Sequence, residues 1–388
     1  MRIHAKRLLT PEGFVNNCAV TLCGGVITAI TPNADRQSGD LPAEILSPGL
    51  IDLHIHGGEG FNARDFNAGI AEPFLKKLLA SGVTGFLMTI STGRRELMRH
   101  GLEVTRQAMA MQKEGTLGGA RILGVHLEGP FLSTQRPGAM QMDAIIPSAV
   151  KTYEDFFAGY EQIIKLISLA PEEEGAEELT AYLLQKGVCV QAGHTNATFE
   201  QAQRGFAFGI QSLCHTFNAC RPIHHREPGV ITAALLDPNV YCEAICDFEH
   251  LHPGALEMIY RLKGPKRMAL ISDSVATHGM PDGEYFMEGY HIVVKNGISR
   301  TIDGALDGGG AYLDGAVRNM ISRGIPQEDV LHMASTTPAA RMGMNTCGVI
   351  AVGMPAALTA WREDYTVDFV VMGDTLYREG EAHAHGGH

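Results

Sequence analysis

The sequence predicts an α/β fold, a (β/α)8 TIM barrel with a small β-sandwich domain built from both chain ends. Three observations carry that prediction. Eight apolar, strand-like runs recur through the middle of the chain, helical patterns separate most of them, and both ends read as short strands joined by turns. A doubly wound open sheet is the structural alternative, but no Gly-rich dinucleotide turn follows the first run.

At the start of the chain, Arg2–Leu9, Asn17–Leu22 and Val26–Ile30 are β-rich, and the Cys23-Gly24-Gly25 turn marks a hairpin. At the other end Cys347–Ala351, Ala357–Trp361 and Val367–Met372 have the same character, the last followed by Gly373-Asp374. These runs place a small β domain at 1–47 and 348–378 and a catalytic barrel at 48–347. The barrel strands are expected at Gly49–His54, Val83–Ile90, Arg121–Leu127, Ile163–Ala170, Val188–Ala192, Ile210–Cys214, Val240–Cys246 and Met268–Ile271. Helical patterns lie at Glu72–Ala80, Arg94–Met111, Ala176–Lys186, Phe199–Phe208 and Pro253–Leu262. The polar, Gly/His-rich segment 379–388 is expected to be a disordered tail outside the site.

With 388 residues and 45% hydrophobic content, the chain suits one large barrel plus an accessory domain. A net charge of −12 excludes nucleic acid as the main partner, although a local Arg can still hold a small anion. No run approaches the roughly 18 unbroken apolar residues of a membrane helix, so no membrane partner is expected. The first residues lead into no apolar core with a small-residue cleavage site, so no secretory signal is expected. The eight cysteines form no CxxC pair and read as reduced thiols of a cytoplasmic protein. Cys189, Cys214, Cys242 and Cys246 sit in apolar runs, where Cys behaves as a small hydrophobe.

Polar residues interrupt the apolar runs at one kind of place, the C-terminal ends. The first ends in Asp52-Leu53-His54-Ile55-His56, the third in His126-Leu127-Glu128-Gly129-Pro130 and the fifth in Gly193-His194-Thr195. The sixth ends in Cys214-His215-Thr216 and the eighth in Ser272-Asp273-Ser274. In a parallel barrel these ends share one face, the face on which barrel enzymes place their active sites. Any one of these groups is explained as a hydrogen-bonding His or a capping carboxylate. Their convergence points to a metal centre, and the His54/His56 spacing suits two ligands of one ion. His126 is expected behind the ligands, and His100, His291 and His332 are read as structural or solvated. Imidazoles with a carboxylate suit a divalent metal, Zn²⁺ by default or Fe²⁺, which activates water and polarises a carbonyl. Asp273 is then the catalytic acid/base.

These segments resemble the N-acetylglucosamine-6-phosphate deacetylases of the amidohydrolase superfamily. The resemblance covers nearly the whole chain and rests on Pro48–Gly58, His126–Phe131, Gly193–Thr195, His215–Ala219, Arg226–Gly229, the run at Asp247–His250 and Ser272-Asp273. It implies Glu128, His194 and His215 as ligands of the catalytic metal and Asp273 as acid/base. It also implies that His54 and His56 help hold a second metal bridged by Glu128, giving one or two ions per subunit. By the same resemblance, Asn218, the Ala219 backbone and Arg226 contact substrate and its phosphate, and His250 contacts the sugar. The family further implies a homodimer whose partner subunit reaches the sugar phosphate. Two segments depart from the family pattern. Gly138-Ala139-Met140 replaces Gly-Ala-His, which removes a hydrogen bond to the sugar. Leu306-Asp307-Gly308-Gly309 replaces Leu-Ala-Gly-Ser, which adds a carboxylate near the acyl or sugar end, and by the same resemblance Ala139, Met140, Leu306, Asp307 and Gly308 are expected to contact the substrate. The expected reaction is hydrolysis of N-acetylglucosamine 6-phosphate to glucosamine 6-phosphate and acetate. N-acetylgalactosamine 6-phosphate, an N-acyl amino acid, and an inert barrel that only binds a sugar phosphate are the alternatives.

Overall fold

The chain begins and ends in a single sheet whose residues alternate between two cores. The computed structural model describes residues 1–63, 68–287 and 290–378, so the tail segment 379–388 lies outside the described residues. The first strands are β1 (Arg2–Thr10), β2 (Gly13–Cys23), β3 (Val26–Thr31) and β4 (Leu41–Pro48). After them come β5 (Leu50–Ile55), two two-residue strands, β6 (Gly57–Gly58) and β7 (Phe61–Asn62), and α1 (Ala68–Ala80). Strands and helices then alternate: β8 (Val83–Ser91), α2 (Arg95–Glu114), β9 (Arg121–Glu128), α3 (Val150–Phe157), β10 (Ile164–Leu169) and α4 (Ala176–Gln185). The alternation continues through β11 (Cys189–Ala192), α5 (Phe199–Ala207), β12 (Ser212–Leu213), α6 (Gly229–Leu236), β13 (Tyr241–Ile245), α7 (Pro253–Lys263) and β14 (Met268–Ile271). An antiparallel three-stranded insertion follows, β15 (Gly283–Met287), β16 (Tyr290–Lys295) and β17 (Ile298–Thr301). The chain closes with α8 (Leu313–Ser322), α9 (Gln327–Ala334), α10 (Thr336–Arg341), β18 (Ala357–Trp361), β19 (Val367–Met372) and β20 (Thr375–Tyr377).

The terminal sheet runs β20-β19-β18-β4-β1-β2-β3 and is antiparallel except for the β1–β4 pair. Its period-2 alternation sorts side chains between two faces. Leu8, Leu46, Ala360, Phe369 and Val371 enter the sheet's own core, while Leu9, Ile45, Trp361 and Val370 join the main core against the barrel. The sheet curls over its own core: Val26 bridges Pro355, and the Gly24-Gly25 turn packs on Gly373. Both turn glycines have positive φ, which a tight two-residue hairpin requires and Gly accepts at no steric cost. The Trp361 indole N–H donates to Ser47 Oγ at 2.8 Å and ties the C-terminal strands to β4. One expectation fails here. Cys347–Ala351 is not a strand, because its backbone follows the end of α10, where the Gly348 carbonyl accepts from Thr336 Oγ1 instead of a ladder partner.

The eight-stranded sheet runs β5-β8-β9-β10-β11-β12-β13-β14, with parallel pairing throughout. The Ile55–Ser274 bridge and the Asp273 N–H, which donates to the His54 carbonyl at 2.9 Å, close it into a barrel. Runs such as VTGFLMTIS in β8 are buried almost end to end, as a strand covered on both faces must be. Helix α5 starts from a capping box in which Thr198 and Gln201 satisfy each other's backbone N–H groups. Among the described residues, no helix is long and apolar enough to cross a membrane.

Candidate active site

Five strand ends place the ionisable side chains within contact of one another. Glu128, at the end of β9, has Oε1 2.9 Å from His194 Nε2 and 3.0 Å from His215 Nε2, and those two nitrogens lie 3.2 Å apart. Beside them His54 Nε2 and His56 Nε2 are 3.2 Å apart, and Asp273 Oδ1 is 3.3 Å from the first and 3.2 Å from the second. Glu128 joins the two groups, Oε1 lying 3.6 Å from His54 Nε2 and Oε2 3.4 Å from His56 Nε2. Ligands around one ion at bonds of roughly 2.1 Å sit about 3.4 Å apart in a tetrahedron. Both groups, Glu128/His194/His215 and His54/His56/Asp273, therefore fit a divalent cation, each with three protein donors.

The far nitrogens of the imidazoles fix their orientation. His194 Nδ1 faces the carbonyls of Arg136 and Pro137 at 3.2 and 3.1 Å, so Nδ1 carries the proton and Nε2 keeps its lone pair. His56 Nδ1 is 3.0 Å from Ser91 Oγ. His54 Nδ1 faces Cys214 Sγ at 3.4 Å and Glu243 Oε2 at 3.7 Å. Asp52 sits behind this corner and accepts from the backbone N–H groups of His54 and Ser272, while burial pushes its carboxyl up to about 7. The backbone is strained where the chemistry sits: His194, His215, Phe217, Ala219, Phe248 and Asp273 all have positive φ.

Electrostatics follow from this crowding. Burial works against a charged Glu128, but His54, His194 and His215 outweigh it and hold its carboxyl well below the usual range. Asp273 is likewise opposed by burial and held low by His54 and His56. Burial pushes His126 well below the ordinary imidazole value, so it stays neutral. Asp247 and His250 form a buried pair at 2.8 Å, and Asp247 also accepts from the Gly310 N–H. Burial would raise Asp247, yet His250 holds it down at about 2. His250 itself rises above its ordinary value, because Asp247 outweighs the opposing burial.

These groups floor a pocket of about 350 Å³. Its lining brings together His56, Glu128, His194, His215 and Asp273 with Ala139, Met140, Asn218, Ala219, His250, Leu306 and Asp307. His54 is fully buried beneath it. Two expected substrate contacts fall elsewhere. Gly308 is not part of the lining, since the turn that exposes Leu306 and Asp307 folds it back on Val275 and the Asp273 carbonyl. Arg226 is exposed outside the pocket, on a loop where its guanidinium contacts His225 at 2.7 Å. None of the pocket's described lining residues is Lys or Arg.

His126 lies behind the donors, engaged by Thr89, Ser168 and Gln191. His100 is exposed, His291 pairs with Glu284, and His332 meets Thr336. Cys214 differs from the expected inert hydrophobe, because its thiol touches His54. Sequence reasoning missed the pocket wall supplied by the insertion, Met287 and Ile292, and it missed Glu243. The available signal for Glu243 was one carboxylate inside the otherwise apolar strand Tyr241–Ile245.

Comparison with known proteins agrees with this geometry. Residues 45–376 match the amidohydrolase family, and residues 1–44 match the N-terminal domain of formimidoylglutamate deiminase. The chain is 33% identical over 360 residues to an N-acetylgalactosamine-6-phosphate deacetylase of Escherichia coli, covering 92% of this chain and 94% of that one. It is 33% identical over 372 residues to the N-acetylglucosamine-6-phosphate deacetylase of Vibrio furnissii, covering 94% and 92%. Among solved structures, the Pasteurella multocida N-acetylglucosamine-6-phosphate deacetylase superposes with a TM-score of 0.89 at 26% identity, covering 98% of this chain and 100% of that one. A mutant of the Mycobacterium smegmatis enzyme in complex with N-acetyl-D-glucosamine-6-phosphate matches at a TM-score of 0.89 and 28% identity, covering 97% and 98%. With the family match spanning most of its length and these relatives covering nearly all of it, the chain belongs to the amidohydrolase family and, within it, to the N-acetylglucosamine-6-phosphate deacetylases.

Proposed function

We propose that this protein hydrolyses the N-acetyl amide of N-acetylglucosamine 6-phosphate, releasing glucosamine 6-phosphate and acetate. The observation that carries the reading is the convergence of Glu128, His194, His215, His54, His56 and Asp273 at contact distance on a pocket floor. Glu128, His194 and His215 hold the catalytic ion, Zn²⁺ by its preference for this donor set, and His54 and His56 hold a second beside Asp273. A bound divalent ion supplies Lewis acidity, lowering the pKa of a water molecule towards about 7 and polarising the amide carbonyl. Asp273 takes the proton of the attacking water and returns it to the leaving nitrogen. His250, braced by Asp247, and Asn218 with the Ala219 backbone hold the sugar, and Leu306 and Asp307 border it with Ala139 and Met140. The catalytic unit is 48–347, scaffolded by 1–47 and 348–378.

We assign the phosphate to Arg226 acting across a homodimer. Its exposure outside its own pocket and the exposed apolar side chains Phe286, in the insertion, and Ile302, just after it, support that arrangement. A cytoplasmic location fits the metabolic substrate and the unpaired cysteines. The second reading is N-acetylgalactosamine 6-phosphate, favoured by Met140 and Asp307 in the lining, where they alter the contacts open to the sugar hydroxyls. The test is acetate release by metal-replete protein across N-acetylglucosamine and N-acetylgalactosamine, each with and without the 6-phosphate. Preference for the phosphorylated gluco sugar supports the first reading, and preference for the galacto sugar supports the second. Equal rates on plain sugars overturn the phosphate assignment, and no acetate from any of them overturns the activity.

A further inference from the structure

We propose that Glu243 is a positioning residue for His54: its carboxylate takes the Nδ1–H of that imidazole and so presents Nε2 to the ion held with His56 and Asp273, an inference that rests on the metal-dependent reading above. Glu243 lies inside the barrel on β13, almost fully buried, with Oε2 3.7 Å from His54 Nδ1. Its other oxygen, Oε1, is buried with no hydrogen-bond partner among the described residues.

A carboxylate in such a place is costly unless a cationic or strongly polarised donor meets it. The protein groups behind it supply little. Gln191 Nε2 reaches Oε2 only at 3.4 Å and donates better to Ser168 Oγ at 3.1 Å. Ser212 donates to the Gln191 side-chain oxygen, and Arg341 donates to Ser212 at 2.9 Å. The rest of that buried guanidinium goes to neutral acceptors, Gln211 Oε1 and the Val190 carbonyl. The Arg341 charge therefore reaches Glu243 only through a relay of neutral groups.

Among the described residues His54 is the one imidazole within ion-pairing distance of Glu243, and it faces the donor cluster with its other nitrogen. A ligating imidazole must carry its proton on the far nitrogen, and that N–H is a stronger donor when the near nitrogen is bound to a cation. Two groups stand behind His54 Nδ1, the Cys214 thiol and the Glu243 carboxylate. The thiol is a weak acceptor and the carboxylate a strong one, so the carboxylate sets the tautomer.

Metal-free protein titrated with Zn²⁺ against a chromogenic chelator, with stoichiometry read by elemental analysis, tests this. Wild type should take two equivalents. Glu243→Gln should weaken the second by roughly 10–100-fold and leave the first unchanged, because Glu128, His194 and His215 do not touch it. Glu243→Asp should restore part of the loss, and Cys214→Ala should leave both equivalents intact. Second-ion affinity equal to wild type in Glu243→Gln overturns the proposal, as does loss of the second ion in Cys214→Ala. A wild type that binds one ion and still releases acetate overturns it too, while leaving the deacetylase reading standing. Should Glu243→Gln not fold, the Zn²⁺-loaded wild type decides by nuclear magnetic resonance. An exchange-protected imidazole N–H downfield of the amide region, absent in His54→Gln, supports the proposal, and its absence from wild type overturns it.

Discussion

Replacing Asp273 by Asn removes a proton carrier while keeping its shape, so the cost isolates proton transfer. Asp273 has φ of +50°, a left-handed conformation that Asn shares with Asp at little penalty and in which Ala is strained by about 1 kcal/mol. The amide oxygen of Asn can occupy the position of Oδ1, 3.2 Å from His56 Nε2 and 3.3 Å from His54 Nε2, so contacts to both imidazoles survive. What the variant lacks is a group that accepts a proton from water and delivers it to nitrogen. Positioned acid/base catalysis contributes roughly 10²–10⁴-fold, or about 3–5 kcal/mol of barrier at 1.36 kcal/mol per decade. The loss should fall on kcat with KM little changed, since the proton moves only in the transition state. The assay is acetate release at saturating N-acetylglucosamine 6-phosphate, with metal content and thermal midpoint measured on the same preparation. A variant with wild-type metal content and a kcat within threefold of wild type would refute the reasoning.

Three other perturbations separate the remaining roles. Glu128→Ala should strip both ions, because this carboxylate reaches all four ligating imidazoles; wild-type stoichiometry by elemental analysis would contradict that. Arg226→Ala should lower kcat/KM for the phosphorylated sugar by roughly 30-fold or more, about 2 kcal/mol, with little effect on the plain sugar. If Arg226 serves the neighbouring subunit, mixing Arg226→Ala with Asp273→Asn protein should regenerate activity, and a mixture no better than its components would place the phosphate elsewhere. The Asp247–His250 pair should give stability a pH window. Asp247, held at about 2, contributes above its ordinary 3.8 and loses the contribution as pH falls towards 2. His250, raised, contributes fully below its ordinary 6.5 and loses that as pH rises through its higher value. Asp247→Asn should therefore cost about 2 kcal/mol between roughly pH 4 and 6.5 and flatten thermal midpoint against pH, and an unchanged profile would refute it.

Legibility in the sequence followed the physics of each element. The eight barrel strands were readable because strands covered on both faces are largely apolar, and their ends were readable because His and carboxylates cluster there. Helix α6 was not, since its sequence GVITAALL is apolar nearly all round and shows no 3.6-residue period to tell it from a strand. The run Cys347–Ala351 misled for the same reason: a short apolar stretch has the composition of a strand whether or not a neighbour offers a ladder. The donor residues were visible one by one, but the contact of Asp273 with both His54 and His56 depends on closure between β5 and β14, which local pattern does not encode. Glu243 was hidden because its partner arrives from another strand, whereas Arg226 was named from its motif, which does not encode that its side chain stands exposed outside the pocket.

The pocket's charge explains why substrate binding as well as chemistry should depend on metal. Its described lining carries three carboxylates, Glu128, Asp273 and Asp307, and no Lys or Arg, on a chain of net charge −12. A sugar phosphate entering such a site meets a repulsive field, and low-dielectric walls focus that field instead of screening it. Two divalent cations, with both donor groups filled as proposed, would outweigh the three carboxylates and reverse the local sign. The described lining itself offers a sugar phosphate no Lys or Arg. A charged partner for the proposed phosphate has therefore to be sought outside that lining, and Arg226, exposed outside the pocket, is the candidate that the Arg226→Ala and mixing experiments test.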